Sequence, residues 1–485
     1  LTFSPVACDR PSRHHPATPE TPRMIDLKDL RANPDKYRKG IADKHAHADL
    51  DALLAADESL RELQSKQQAL TAEKNQIGKQ IGQIAGRLKK ASDTEKADLQ
   101  QQMADLQKRP AAIKTEESAL TDQVRDLTTQ RDALWLEVPQ PADPDVPIGA
   151  SADDNVELRT WNPNNFDPTQ PFEAQRGFAP KTHAELCESL KLTDFTRGIK
   201  VGGARSYVMT GDGMRLYQAV LRYAFDFMVN QYGFTPLSVA DLVRHHTMVG
   251  TGFFPHGRDQ VYDIANPTSE EGLALTGTGE VGLMGYHADE IVNADDLALC
   301  YTTVSTCFRR EAGAAGKDTA GLYRVHQFDK VEQVVICKAD EAESRAWHQK
   351  MIGFVEQLLQ SLELPYRLLQ CCTGDLGPKN ADMIDLECWM PGRGPEDEHG
   401  RPTGAYGETH SASRLYDYQC RRLNIRYKDP DTGKNVTAHS LNNTVAALPR
   451  LLIPLLEIHQ QADGSIAIPA PLQPYMNGQS TIVPR

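Results

Sequence analysis

The sequence predicts an α+β protein in two bodies: a long antiparallel α-helical hairpin, then a domain built on a mainly antiparallel β-sheet flanked by helices. Three observations predict it. Apolar residues recur at alternating steps of three and four across residues 60–134, prolines cluster at 139–147, and the runs beyond them keep no regular strand-helix-strand rhythm.

The hairpin is read from its period. Leu60, Leu63, Gln67, Leu70, Lys74, Ile77, Ile81, Ile84 and Leu88 form one seam; a polar break follows at 89–95. The spacing then resumes with Leu99, Met103, Leu106, Pro110, Ile113, Glu117, Leu120, Val124, Leu127, Arg131 and Leu134. Two helices of matching length joined by a short turn make a hairpin. At 1.5 Å per residue, arms of roughly 35 to 40 residues reach about 55 Å, further than a compact domain absorbs, so the hairpin is expected to project. Pro110 removes a backbone donor and predicts a kink. Gln67 and Lys74 weaken the seam and are candidates for setting its register. An oligomerisation coiled coil would show the same period. The basic residues Lys74, Lys79, Arg87, Lys89 and Lys90 toward the turn suit a polyanion, but a solvated charged surface could look the same.

Pro139, Pro141, Pro144 and Pro147 form a stiff connector, dividing the chain into 24–138 and 139–485. Residues 1–23 precede the first methionine, Met24, and lack the apolar centre of a signal peptide; a disordered extension or a start-site artefact is expected. Beyond the connector, 216–228 reads as an amphipathic helix, and 297–308 and 322–336 read as strands. The charges and small residues of 309–321 describe a flexible hairpin loop able to close over a polyanion. Two motif matches fail on inspection. Gly316-Lys317 lacks both ends of a P-loop, with Glu311 five positions before and Asp318 after; Gly277-Thr278-Gly279-Glu280-Val281-Gly282 lacks the apolar strand that a dinucleotide site requires.

Composition narrows the partners. A chain of 485 residues has room for two or three units. Its 66 acidic residues against 53 basic ones, a net charge of −13, argue against a generally basic nucleic-acid coat, so any RNA contact must be local. The nine cysteines include no C-x-x-C; Cys371, Cys372 and Cys388 read as buried thiols rather than zinc ligands, and a reducing cytoplasm is expected. No apolar run reaches membrane-spanning length.

The run Cys307-Phe308-Arg309-Arg310-Glu311-Ala312-Gly313, continuing as Gly321-Leu322-Tyr323-Arg324-Val325-His326-Gln327-Phe328-Asp329-Lys330-Val331-Glu332-Gln333, resembles motif 2 of the seryl-tRNA synthetases. Other blocks agree in order: Asp154-Asn155-Val156-Glu157, Gly211-Asp212-Gly213, Gly250-Thr251-Gly252 in the motif 1 region, Thr278-Gly279-Glu280, Asp385-Leu386-Glu387, Glu408-Thr409-His410-Ser411, Asp417-Tyr418-Gln419, and motif 3 from Leu441-Asn442-Asn443-Thr444 to Arg450. The match extends from Met24 to about Met476, and neither signature element of class I enzymes is present. The resemblance implies a class II catalytic domain for 139–485 and a tRNA-binding arm for 24–138.

What the resemblance implies for the chemistry follows residue by residue. A serine carboxylate must attack the α-phosphorus of ATP while both carry negative charge, so cations are needed. Arg309 would grip the α-phosphate and the serine carboxylate, and Arg450 with Phe328 would sandwich the adenine; these two arginines are the catalytic candidates. Arg324 would meet the outer phosphates and Glu311 the adenine amino group. Arg310, Thr409 and His410 complete the ATP-binding set. Glu408 and Ser411 would hold the ATP-bound Mg²⁺. Thr278, Gly279, Glu280, Glu332 and Asn442 would surround serine, with Thr444 meeting its hydroxyl where the family usually has a serine. His326 is read as structural. The arm, through Lys74, Lys79, Arg87, Lys89 and Lys90, would bind tRNA(Ser), and tRNA(Sec) where it exists, in a homodimer. Departures from the family pattern are Ala240, Gly279, Arg414 and the run Ala446-Ala447-Leu448-Pro449. The alternatives are a paralogue that activates serine for a non-tRNA acceptor and a non-catalytic RNA-binding scaffold.

Overall fold

The computed structural model describes residues 25–265, 271–313 and 321–484. The 1–23 extension and the centre of the 309–321 loop, residues 314–320, lie outside the described residues. Two short helices, α1 (Leu27–Ala32) and α2 (Pro34–Asp43), lead into the arm, formed by α3 (Leu50–Leu88) and α4 (Asp93–Leu136). The Asp49 carboxylate accepts from the Ala52 amide at 2.9 Å and starts α3. The Glu95 carboxylate accepts from the Ser92 amide at 3.1 Å, at the head of α4.

At 39 and 44 residues the arms match the expected reach. Leu60, Ile77, Ile84, Leu99 and Ile113 are buried along the seam. The second helix is a single element through Pro110. The polar seam positions are paired across the helices: Lys74 Nζ lies 2.6 Å from Glu117, and Gln67 donates to Thr121 Oγ1 at 3.3 Å. The arm is rooted by a cluster of Ile25, Leu30, Tyr37, Leu50, Leu53, Trp135 and Val138, which reaches the second body at Tyr418.

The second body is an eight-stranded sheet: β1 (Val156–Trp161), β2 (Thr235–Pro236), β3 (Leu299–Phe308), β4 (Gln327–Cys337), β5 (Tyr366–Gln370), β6 (Asp382–Met390), β7 (Ala405–Tyr416) and β8 (His439–Leu448). The spatial order is β1-β5-β6-β7-β8-β4-β3-β2, antiparallel throughout except for the short β2 beside β3. Four helices matter for the site: α5 (His183–Ser189), α6 (Gly211–Tyr232), α7 (Glu341–Ser361) and α8 (Leu452–Ile458). The apolar faces of α6 and α7 bury Leu216, Val220, Ile352 and Val355 in one core with Val331, Leu386 and Leu441 of the sheet.

One strand differs from its sequence reading. Residues 322–326 are not extended pairing backbone; the strand starts at Gln327. Side chains take three of their polar backbone atoms instead: Leu322 N–H donates to His183 Nε2, and the Tyr323 and Arg324 carbonyls accept from Arg450 and Arg205. A segment satisfied in this way has no ladder to join. Among the described residues no helix is long and apolar enough to cross a membrane.

Candidate active site

Strands β3 and β4, with the segment before β4, carry most of the site, because alternate residues of a strand face the same way. Lys330 and Glu332 therefore share a face. Glu332 pairs in register with Thr303 of β3 on one side and Thr444 of β8 on the other. A register shift between Thr444 and Ala446 interrupts the β8 ladder at this point.

A second shift explains how Glu408 and Ser411 come together. Residues three apart on a regular strand face opposite ways. Here Asp385 pairs with Ser411, Leu386 with His410 and Glu387 with Glu408, so Thr409 is the extra residue and parity is reset. Ser411 stands directly across the ladder from Asp385, whose buried Oδ1 has no hydrogen-bond partner among the described residues.

These elements enclose a cleft lined by Arg309, Glu311, Leu322, Tyr323, Arg324, Val325, Phe328, Lys330, Glu408, Thr409, Thr444, Ala447 to Pro449, and Arg450. The Arg309 guanidinium stands 5.3 Å over the Phe328 ring and Arg450 4.5 Å over the Tyr323 ring. Arg450 also donates to the carbonyls of Tyr323 at 3.2 Å and Glu408 at 3.1 Å. Arg324 is 3.3 Å from Glu311, whose backbone sits in the left-handed region at φ 52°. Arg309 and His326 are tied back to back, Arg309 N–H to His326 O at 2.9 Å and His326 Nδ1–H to Arg309 O at 2.9 Å.

Beside the cleft lies a drier pocket. Lys330 Nζ donates to Thr278 Oγ1 at 2.8 Å and pairs with the Glu332 carboxylate. Burial holds the Glu332 carboxyl above the usual range, with Lys330 opposing that rise. Glu280 is buried further back and accepts from Lys379 at 2.7 Å, Gln419 at 2.6 Å and Asn442 at 2.7 Å. Glu280 and Asn442 thus meet each other and support the pocket from behind. At Gly279 an added Cβ would come within 2.5 Å of Thr303 Cγ2, so the departure from alanine matches a local close approach.

Other predicted residues are placed differently. His410 is buried; its Nε2–H donates to Val445 O at 3.1 Å, and burial pushes its imidazole down to about 3. It stays neutral and shapes the β7–β8 junction. Arg310 is exposed and held through its backbone to Gln260 O at 2.9 Å. Ser411 and Arg310 are not among the lining residues of the cleft. Burial and the negative charge of Glu408 push the Asp385 carboxyl well up. On the arm, Lys79, Arg87, Lys89 and Lys90 are exposed, whereas the Lys74 ammonium is engaged by Glu117. Cys371, Cys372 and Cys388 are buried free thiols, as read.

Sequence reasoning gave no role to Lys330, Tyr323, Lys379 or Gln419. For Lys330 a signal existed: two residues before Glu332 on one strand, it must share the same face. Tyr323 precedes the strand, and Lys379 and Gln419 come from distant segments, so none of the three carries such a mark.

Two family models match the chain: the seryl-tRNA synthetase N-terminal domain over residues 24–130, and the tRNA synthetase class II core domain (G, H, P, S and T) over residues 262–459. A serine–tRNA ligase of Deinococcus radiodurans is 41% identical over 460 residues, covering 95% of this chain and 99% of that one. The chain belongs to the seryl-tRNA synthetase family. It is thereby a class II aminoacyl-tRNA ligase. The serine–tRNA ligase of Kocuria rhizophila is 38% identical over 472 residues, covering 95% of this chain and all of its own. Among solved structures, a seryl-tRNA synthetase from Pyrococcus horikoshii complexed with ATP superposes with a TM-score of 0.81 at 34% identity, over 95% of this chain and 100% of that one. A cytoplasmic serine–tRNA ligase from Naegleria fowleri in complex with AMP gives 0.78 at 27%, over 96% and 100%. The seryl-tRNA synthetase fold therefore extends over both bodies, arm included.

Proposed function

We propose that the protein activates L-serine with ATP to seryl-adenylate, releasing diphosphate, and transfers serine to tRNA(Ser) and, where present, tRNA(Sec). One observation carries this reading: a cleft flanked by two guanidiniums, Arg309 and Arg450, each over an aromatic ring, has Lys330 and Thr444 in its wall, and these two belong to a buried polar cluster with Glu332 and Thr278. Arg309 offers a planar fork to the α-phosphate and the serine carboxylate, offsetting the repulsion between them. Phe328 and Arg450 stack the adenine, Glu311 accepts from its amino group, and Arg324 meets the outer phosphates. The carboxylate oxygen of serine forms the new bond to the α-phosphorus as the bond to the diphosphate breaks. Positioning and charge carry the step, and no side chain needs to form a covalent intermediate.

Serine is held by its ammonium at Glu332 and Thr278 and by its hydroxyl at Thr444. A site that hydrogen-bonds the hydroxyl rejects alanine by leaving a polar group unpaired. The Thr444 methyl crowds threonine.

Glu408 and Ser411 fit a Mg²⁺ ion: both are hard oxygen donors, the β7 bulge turns them to one face, and Asp385, paired in register with Ser411, has a buried carboxylate oxygen with no hydrogen-bond partner among the described residues. When bound there, Mg²⁺ would supply Lewis-acid stabilisation of the phosphates.

The chain is read as an arm domain at 24–138 and a catalytic domain at 139–485, working as a cytoplasmic homodimer through the motif 1 region. Leu242 at 46% exposure and Ile264 at 38%, on the two outer strands of a small three-stranded sheet there, suit such a contact. The arm would reach tRNA by shape and phosphate contacts. The test is pyrophosphate exchange across the amino acids, followed by charging of serine tRNA. Serine-dependent exchange with charging is expected. Exchange without charging supports a non-tRNA acceptor, and no exchange supports a scaffold.

A further inference from the structure

His183 lies at the head of α5, outside every residue given a role in the cleft, yet it touches the cleft wall from behind. Its Nε2 lies 3.3 Å from the Leu322 amide, and its Nδ1 lies 2.9 Å from Glu457 Oε1. Glu457 is on α8, just beyond Arg450, and is buried completely. Its carboxylate also accepts from the His183 amide at 2.8 Å and the Gly392 amide at 2.7 Å. One carboxylate thus gathers α5, α8 and the connection after β6.

The partners fix the tautomer. A carboxylate only accepts, so Nδ1 carries the proton; Nε2 then keeps its lone pair and accepts from Leu322. A neutral imidazole presents a donor and an acceptor at rigid, opposed positions, and here it bridges two segments that share no ladder. Leu322 needs that acceptor because it precedes the strand. The fit is close: Gly321 has φ 79°, and an added Cβ there would stand 2.2 Å from His183 Nε2. At Gly392 it would stand 2.6 Å from Glu457 Oε1.

The two segments joined are the two sides of the nucleotide cleft. Leu322 begins the stretch bearing Tyr323, Arg324 and Phe328, and α8 follows Arg450 directly. Arg450 also ties the two sides directly, donating to Tyr323 O at 3.2 Å. We propose that His183 is a positioning residue for ATP, holding the segment 322–328 against the Arg450 helix through Glu457 and so setting the width of the adenine slot. This rests on the ATP-dependent reading above.

The test uses the full-length protein in serine-dependent pyrophosphate exchange, with KM for ATP, KM for serine and kcat measured for three variants. His183→Gln places an amide oxygen where Nε2 stood and keeps the acceptor for Leu322. His183→Asn keeps a donor for Glu457 and loses that acceptor; His183→Ala loses both. The expected result is a rise of about tenfold in KM for ATP in the Ala and Asn variants, the scale of one lost hydrogen bond, with KM for serine and kcat within about threefold. The Gln variant should return KM for ATP to within about threefold of wild type. Equal rises in both KM values, an unmoved KM for ATP, or a Gln variant no better than Ala would overturn the inference. A wild-type protein without serine-dependent exchange would overturn the proposed function itself, a separate and prior outcome.

Discussion

Two lysine–glutamate pairs show how differently the two bodies use charge. On the arm, Lys74 and Glu117 meet at 2.6 Å with side chains 48% and 20% exposed; beside the cleft Lys330 and Glu332 meet at 6% and 2%. Water screens the first pair, so either partner can be lost at little cost. The second pair is dry. Each of its charges is tolerable because the other, and Thr278, are already in place. The arm can therefore change its charges freely, while the cleft holds its charges in a preformed arrangement that needs no reorganisation when substrate anions arrive.

Loss of a charge should therefore be costly beside the cleft and cheap on the arm. Arg309→Met should lower serine-dependent exchange by roughly 10³-fold, the scale of removing a preorganised charged donor, and leave tRNA affinity unchanged. Lys330→Met strands a buried carboxylate and should cost about 3–5 kcal/mol in urea unfolding, against less than about 1 kcal/mol for Lys74→Met. Comparable losses would erase the distinction between the bodies.

His410 sharpens it through pH. Its pKa falls from 6.5 in the unfolded chain to about 3 in the folded protein, so between those values the unfolded state binds the extra proton and stability drops as pH falls. At pH 5 the loss is about 2 kcal/mol relative to neutral pH, and the stability-pH slope should flatten in His410→Gln. Smallest is the arm tip. Lys89→Glu combined with Lys90→Glu should weaken serine tRNA binding about tenfold, lower the salt slope by about two, and leave exchange untouched.

Much of this was legible in the residues. The arm is local in sequence, so its period alone gave its length and its polar seam positions. Motif order gave Arg309, Glu311, Arg324, Phe328, Thr444 and Arg450, all of which line one cleft. What the sequence hid depends on pairing between distant segments. The bulge at Thr409 that turns Glu408 and Ser411 to one face is a two-strand property. The three donors that converge on the Glu280 carboxylate, from Lys379, Gln419 and Asn442, come from separate segments and leave no pattern along the chain. Arg414, an unexplained departure in the sequence, is buried between Asp143 of the connector and Asp382 of β6, tying the linker to the strand that carries Glu408.

The division of labour between the bodies is tested most directly by replacing residues 60–134 with a short turn and measuring seryl-adenylate formation and tRNA charging on the same preparation. Adenylate formation within about twofold of the intact protein, with charging reduced by more than about 10²-fold, is the predicted result. Loss of both steps in equal measure would contradict it, because the cleft would then depend on the arm for its own geometry.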